Sequence, residues 1–130
     1  MISVDTNILV RAYLGDDTVQ TKEAQEFLEK ASKEHCLFIS SYAILEFAWV
    51  LKVKNYSRKD IYDAIITLAD SAGVIIGQKD VLLEALTKYI AGKADFGDYM
   101  IWADGEKNKS RTVKTFDKNF QKELLDQNFK

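Results

Sequence analysis

Apolar residues in this chain fall into two kinds of run. Three runs are short and nearly free of charge: Ile2-Ser3-Val4, Cys36-Leu37-Phe38-Ile39 and Val74-Ile75-Ile76. Brief apolar runs bounded by polar residues predict buried strands. The longer stretches repeat with a helical period. Asp5-Thr6-Asn7 ends the first run and caps a helix beginning near Ile8. Over residues 19–33, Ala24, Phe27, Leu28 and Ala31 recur among charges, the pattern of an amphipathic surface helix. Ser40-Ser41 caps residues 42–53, which are almost continuously apolar over about three turns and predict a core helix. Residues 57–69 open with the capping box Ser57-Arg58-Lys59-Asp60, carry Ile61, Ala64, Ile65 and Leu68 on one face, and stop at Gly73. Residues 80–90 form another amphipathic helix, with Gly92 as its terminator. Helix is expected again over 95–106, strand over 112–116, and a last helix over 117–125. Strands alternating with helices imply an α/β three-layer sandwich, with a short, central, mostly parallel sheet flanked by helices. No internal repeat, low-complexity tract or linker interrupts it.

The 130 residues suit a single domain spanning 1–130, with 47% hydrophobic residues for a core and 29% charged residues for a solvated surface. Lysine plus arginine (18) against aspartate plus glutamate (20) leaves a formal charge of −2. No global basic footprint exists, so any nucleic-acid contact must be local or run through metal ions. The one cysteine, Cys36, excludes an intramolecular disulfide, and with the one histidine, His35, makes too small a set for a Cys/His zinc site. No stretch approaches the roughly 18–20 apolar residues of a membrane span, and the first residues lack the segments of a signal peptide. The expected compartment is the cytoplasm, without membrane contact.

Glycine-rich phosphate loops are absent. His35 and Cys36, as neighbours at a strand start, face opposite ways and make a poor nucleophile–base pair. Carboxylates remain. Glu46 is the sole charge within Tyr42-Ala43-Ile44-Leu45-Glu46-Phe47-Ala48-Trp49-Val50-Leu51. In a helix buried on most sides it must be paired or bound to a cation; otherwise it lies on a narrow solvent stripe near Lys52 or Asn55. Asp5 ends the first strand, where parallel sheets form their ligand crevice, and it is also a good helix cap. Asp95 and Asp98 suit a capping pair at the head of an apolar helix, and Asp117, after Thr112-Val113-Lys114-Thr115-Phe116, suits another cap. Capping accounts for the aspartates singly, but not for Glu46, nor for aspartate at three such junctions. Jointly, these acids are expected to meet at one edge of the sheet. Hard oxygen donors suit Mg²⁺ or Mn²⁺, which activate water and neutralise charge in phosphodiester hydrolysis.

Four motifs occur in a telling order: Val4-Asp5-Thr6-Asn7-Ile8-Leu9, Leu45-Glu46, Asp95-Phe96-Gly97-Asp98-Tyr99-Met100-Ile101-Trp102-Ala103 and Thr115-Phe116-Asp117-Lys118-Asn119-Phe120. Together they resemble the PIN domain family, and within it the VapC-type toxins of toxin–antitoxin pairs, over nearly the whole chain. The resemblance implies that Asp5, Glu46, Asp98 and Asp117 form an acidic catalytic quartet holding Mg²⁺ or Mn²⁺. It makes Asp95 a further metal-binding acid whose role is shared or exchanged with that of Asp98, and Thr6, Asn7 and Thr115 supporting positions. It further implies a metal-dependent endoribonuclease, homodimeric, cutting structured RNA such as a tRNA or an rRNA loop, with a cognate antitoxin inserting a segment into the acidic pocket. Two features depart from the family pattern. Trp102-Ala103-Asp104-Gly105-Glu106 is bulkier and more polar than usual, and the sequence stops at Asn128-Phe129-Lys130, where relatives often add a strand.

Two basic clusters, Lys52, Lys54, Arg58 and Lys59, and Lys107, Lys109, Arg111 and Lys118, are candidates for phosphate contact or else solvated helix ends. Trp49 and Trp102, at helical spacing among Leu and Ile, are expected in the core rather than stacked on bases. Two other classes compete with the nuclease. One is an acid-rich metal-binding regulatory module, although Asp5 lacks the adjacent acid of a receiver domain. The other is a haloacid-dehalogenase-like phosphatase, although position 7 is Asn where that chemistry wants a second aspartate.

Overall fold

The strand-to-helix junctions are made by side chains that end one element and start the next. Asp5 closes β1 (Ile2–Ser3) and accepts a hydrogen bond from the Ile8 amide at 3.3 Å, starting α1 (Thr6–Leu14). Asp17 caps α2 (Thr18–Glu34) in the same way. Ser40 follows β2 (Leu37–Ile39) and caps α3 (Ser41–Val53), while Ser57 caps α4 (Arg58–Asp70) through the Asp60 amide at 3.0 Å. Each such cap satisfies an amide that the first helical turn leaves without a partner. The computed structural model describes residues 1–128.

The chain gathers into two compact units, the first being Met1–Gln78 and the second beginning at Lys79. In the first unit β1, β2 and β3 (Val74–Ile76) form a three-stranded sheet in the order β1-β2-β3, parallel throughout. Ile2 pairs with Leu37, and Leu37 with Val74. The helix pairs α1–α2 and α3–α4 are the crossovers between successive strands. Ile39, Ile44, Phe47, Leu51, Ile61 and Ile65 form the buried centre, with Tyr13 edge-on against Phe47 at 5.7 Å. Gly73, at φ +74°, allows the turn into β3: a side chain there would overlap the Ser32 carbonyl.

Residues 42–53 are helical as expected, but α3 is not buried on most sides. Ala43, Ile44, Phe47, Ala48 and Leu51 face inward, whereas Tyr42 (73% exposed), Glu46, Trp49 (65% exposed) and Val53 line one outward stripe at spacings of four, three and four. Trp49 is therefore not a core residue, contrary to expectation. Periodicity is uninformative in a helix that is apolar on every face.

The second unit comprises α5 (Lys79–Ala91), α6 (Phe96–Lys107) and α7 (Lys118–Asn128). Val81, Leu82, Ala85, Leu86 and Tyr89 of α5 are buried, as are Tyr99, Met100, Trp102 and Ala103 of α6. Phe120 of α7 closes this cluster, with its ring 6.0 Å from that of Tyr99 and 5.9 Å from that of Trp102. Trp102, 6% exposed, is core as expected, and the Lys88 ammonium lies over its ring at 4.1 Å.

The strand expected over 112–116 does not form; the segment is irregular. Two of its carbonyls are taken by side chains instead of a ladder: Ser110 donates to the Thr112 carbonyl at 3.1 Å and Gln121 to that of Thr115 at 2.6 Å. Phe116, 88% exposed, has no sheet to cover it. Among the described residues no helix is long and apolar enough to cross a membrane.

Candidate active site

In the first unit, Asp5 and Glu46 are presented differently. Asp5 commits one carboxylate oxygen, Oδ1, to the cap of α1 and leaves Oδ2 without a hydrogen bond among the described residues. Glu46 lies on the outward stripe of α3 and makes no hydrogen bond or ion pair among the described residues. The premise that Glu46 is buried and must be neutralised thus fails. Solvent already satisfies the carboxylate, so its charge carries no desolvation penalty to be compensated. Of the supporting residues, Thr6 is half-buried. Asn7 is exposed and lines an open cavity of about 500 Å³ between α1 and α2, with Arg11, Gln20 and Glu23.

In the second unit the acids are bound into helix starts. Asp95 precedes α6, and its amide donates to Oδ2 of Asp98 at 3.3 Å, so these two are held together across the first turn. Asp98 is half-buried, its own amide donating to the Asp95 carbonyl at 3.0 Å. Asp117 accepts from the Phe120 amide through Oδ1 at 2.8 Å, and its Oδ2 accepts no hydrogen bond among the described residues. Thr115 supports this start of α7: its hydroxyl accepts from the Asp117 amide at 3.1 Å. All three aspartates therefore act as helix-start acids, placing negative charge where unpaired amides favour it.

Two residues that sequence reasoning did not single out hold the segment entering α6. The Tyr99 hydroxyl accepts from the Ala94 amide at 3.0 Å and donates to Glu123 Oε1 at 2.5 Å, while Glu123 Oε2 accepts from the Lys93 amide at 3.4 Å. Gly92 is part of the same arrangement. Its φ is not positive, so the left-handed turn of a helix terminator is not its reason to be glycine; a side chain there would overlap the Tyr99 hydroxyl and the Glu123 carboxylate. No signal in the sequence pointed to this, because Gly92 reads as an ordinary helix terminator.

The basic clusters are only partly free. Lys59 pairs with Asp63 at 2.9 Å, and Lys107 with Asp80 at 3.1 Å. Lys54, Lys109, Arg111 and Lys118 make no ion pair among the described residues.

Uncommitted carboxylate oxygens on Asp5 and Glu46 in the first unit, and on Asp117 in the second, are hard donors with no lysine or arginine paired to them, the donor type that Mg²⁺ or Mn²⁺ takes. Among the described residues no three His, Cys, Asp or Glu side chains are grouped as a ready metal cage.

Comparison with curated proteins gives no match. Among solved structures, Mycobacterium tuberculosis VapC20, described as a sarcin-ricin loop cleaving toxin, aligns at 20% identity over 95% of each chain, with a TM-score of 0.46. The family model for the PIN domain matches residues 2–123. With all four acidic motifs inside that span, the chain belongs to the PIN domain family.

Proposed function

We propose that this protein is a divalent-metal-dependent endoribonuclease, the toxin of a type II toxin–antitoxin pair of the VapC type. In this reading the two units act as one domain over 1–130. Asp5, Glu46, Asp98 and Asp117 are the catalytic acids, Asp95 joins them in metal binding, and Thr6, Asn7 and Thr115 support them. The observation that carries the reading is the PIN-domain family match over residues 2–123, which takes in Asp5, Glu46, Asp98 and Asp117; Glu46 is exposed and without a partner among the described residues, so it is open to a cation without by itself requiring one. Family membership gives that acid a context.

The chain's own contribution is to hold oxygen donors at helix starts whose remaining bonds are already satisfied. Asp5 and Asp117 are oriented by the amides they cap, so each presents its second oxygen from a fixed position. Mg²⁺ or Mn²⁺ bound by these acids would supply an activated water and offset charge on the phosphate oxygens. Lys54, Lys109, Arg111 and Lys118 are the cations available to flanking phosphates, which makes RNA binding salt-dependent. The substrate class we propose is structured RNA, tRNA or an rRNA loop. The protein is further read as a cytoplasmic homodimer, restrained by a cognate antitoxin that reaches the acidic residues.

Purified protein is incubated with structured RNA in Mg²⁺ or Mn²⁺, and again with chelator. Cleavage is expected only with metal, and Asp5→Asn and Glu46→Gln should each lower the rate by about 100-fold or more, by analogy with the loss of a transition-state charge stabiliser. Cutting that survives chelation, or proceeds at full rate in both variants, overturns the metal mechanism. Metal binding without cleavage supports the regulatory-module reading instead. The toxin role is checked separately, by growth arrest on expression and its relief by a small adjacent reading frame.

A further inference from the structure

Glu123 lies six residues beyond Asp117 on α7, a rise of about 9 Å along the helix. Its half-buried carboxylate turns away from solvent to accept from the Tyr99 hydroxyl and the Lys93 amide. Tyr99, the residue after Asp98, is 0% exposed, and its hydroxyl also accepts from the buried Ala94 amide, one residue before Asp95. One side-chain pair therefore joins the helix that begins at Asp117 to the turn that begins at Asp95 and Asp98. Helix formation does not require it, because α6 and α7 have their own caps. Apolar packing does not require it either, since Phe120 already fills the space between Tyr99 and Trp102. Gly92 keeps the room that the pair occupies.

We infer that Tyr99 and Glu123 are positioning residues for the acidic site: their hydrogen bond sets Asp117 in register with Asp95 and Asp98 for cation binding. The inference rests on the proposed nuclease reading and adds to it two residues that touch neither metal nor RNA. Supporting groups around a metal site orient the carboxylates that bind it, and their loss changes affinity more than stability.

The test measures Mn²⁺ affinity by calorimetry and RNA cleavage for wild type, Tyr99→Phe, Glu123→Ala and Glu123→Gln. Val81→Ala, a core change on α5 remote from the pair in sequence, is the stability control. Tyr99→Phe and Glu123→Ala are expected to weaken Mn²⁺ binding about tenfold and to lower kcat with KM for RNA held, as removal of such supporting groups does elsewhere. Glu123→Gln, whose amide oxygen still accepts from Tyr99, should recover most of the affinity. Val81→Ala should lower the melting temperature and leave Mn²⁺ affinity at the wild-type value. The inference is overturned if Tyr99→Phe and Glu123→Ala bind Mn²⁺ like wild type, or lose no more than the control. Wild type that binds no Mn²⁺ and cuts no RNA overturns the nuclease reading and this inference together, whereas active wild type with unchanged variants removes only the positioning role.

Discussion

Helices α3 and α6 look alike as strings of residues and behave differently as solids. Each is predominantly apolar, and each carries a candidate acid followed within one turn by tryptophan: Glu46 and Trp49 in one, Asp98 and Trp102 in the other. In α3 both members of the pair face outward, the acid without a partner among the described residues. In α6 the tryptophan is core and the acid is tied to the helix start. The difference lies in where the acid falls along the helix. An aspartate in the first turn finds unpaired amides and takes a structural task, whereas a glutamate in mid-helix finds none, because every amide there already donates along the helix. The two candidate acids therefore differ in their stake in stability: Asp98 has one at the helix start, and Glu46 has none among the described residues.

The largest expected effect tests the tryptophans. Trp102→Ala should cost about 3–5 kcal/mol, because it empties a site bounded by Phe120 and the Lys88 ammonium, while Trp49→Ala should stay within about 0.5 kcal/mol as an exposed change. Urea unfolding of the two variants measures the gap. Equal losses would mean that Trp49 is covered in solution and that the two helices do not differ.

Much of the framework could be read before any coordinates. The strands at 2–3, 37–39 and 74–76 are brief and uncharged, the first two leading into the caps Asp5 and Ser40, and the amphipathic face of α4 puts Ile61, Ala64 and Ile65 where periodicity placed them. The failures have different causes. Thr112-Val113-Lys114-Thr115-Phe116 is a weak strand signal unless a neighbour offers a ladder, and Ser110 and Gln121 instead satisfy the carbonyls of Thr112 and Thr115. The burial of α3 could not be divided into faces, since Tyr42, Trp49 and Val53 on its outward stripe are as apolar as the residues it buries. Candidate acids were legible because their types recur at junctions, but Tyr99 and Glu123 were not. A buried tyrosine reads as packing, and its partner stands 24 residues away.

The acids themselves give the next effect. Asp98→Ala removes the acceptor for the Asp95 amide and should lower stability by about 1 kcal/mol, the usual cost of a lost helix-start acceptor. Glu46→Ala should leave stability within about 0.5 kcal/mol, since no interaction among the described residues is lost. Thermal melts followed by circular dichroism measure both. If Glu46→Ala destabilises as much as Asp98→Ala, the mid-helix acid has a structural partner after all, and the separation of roles between α3 and α6 is lost.

The smallest effect concerns the other end of α6, where Lys107 reaches Asp80 at the start of α5. The hydrogen bond from the Lys107 ammonium, and after it one from the Val81 amide, holds the Asp80 carboxyl below its ordinary value of 3.8. A depressed carboxyl binds its proton less readily folded than unfolded, so the stability it contributes is present above the unfolded value and is lost as pH falls through the folded one. Wild type should therefore melt slightly above Lys107→Ala near neutral pH. The gap should begin to close below about pH 4 and be gone once Asp80 is protonated in both states. Both groups are exposed and ion pairs of that kind are screened by salt, so the gap should also narrow in high salt. A gap that widens on acidification would mean that Lys107 stabilises α6 through its own helix end and not through Asp80, which would leave the α6 start as the only end of that helix fixed by an acid.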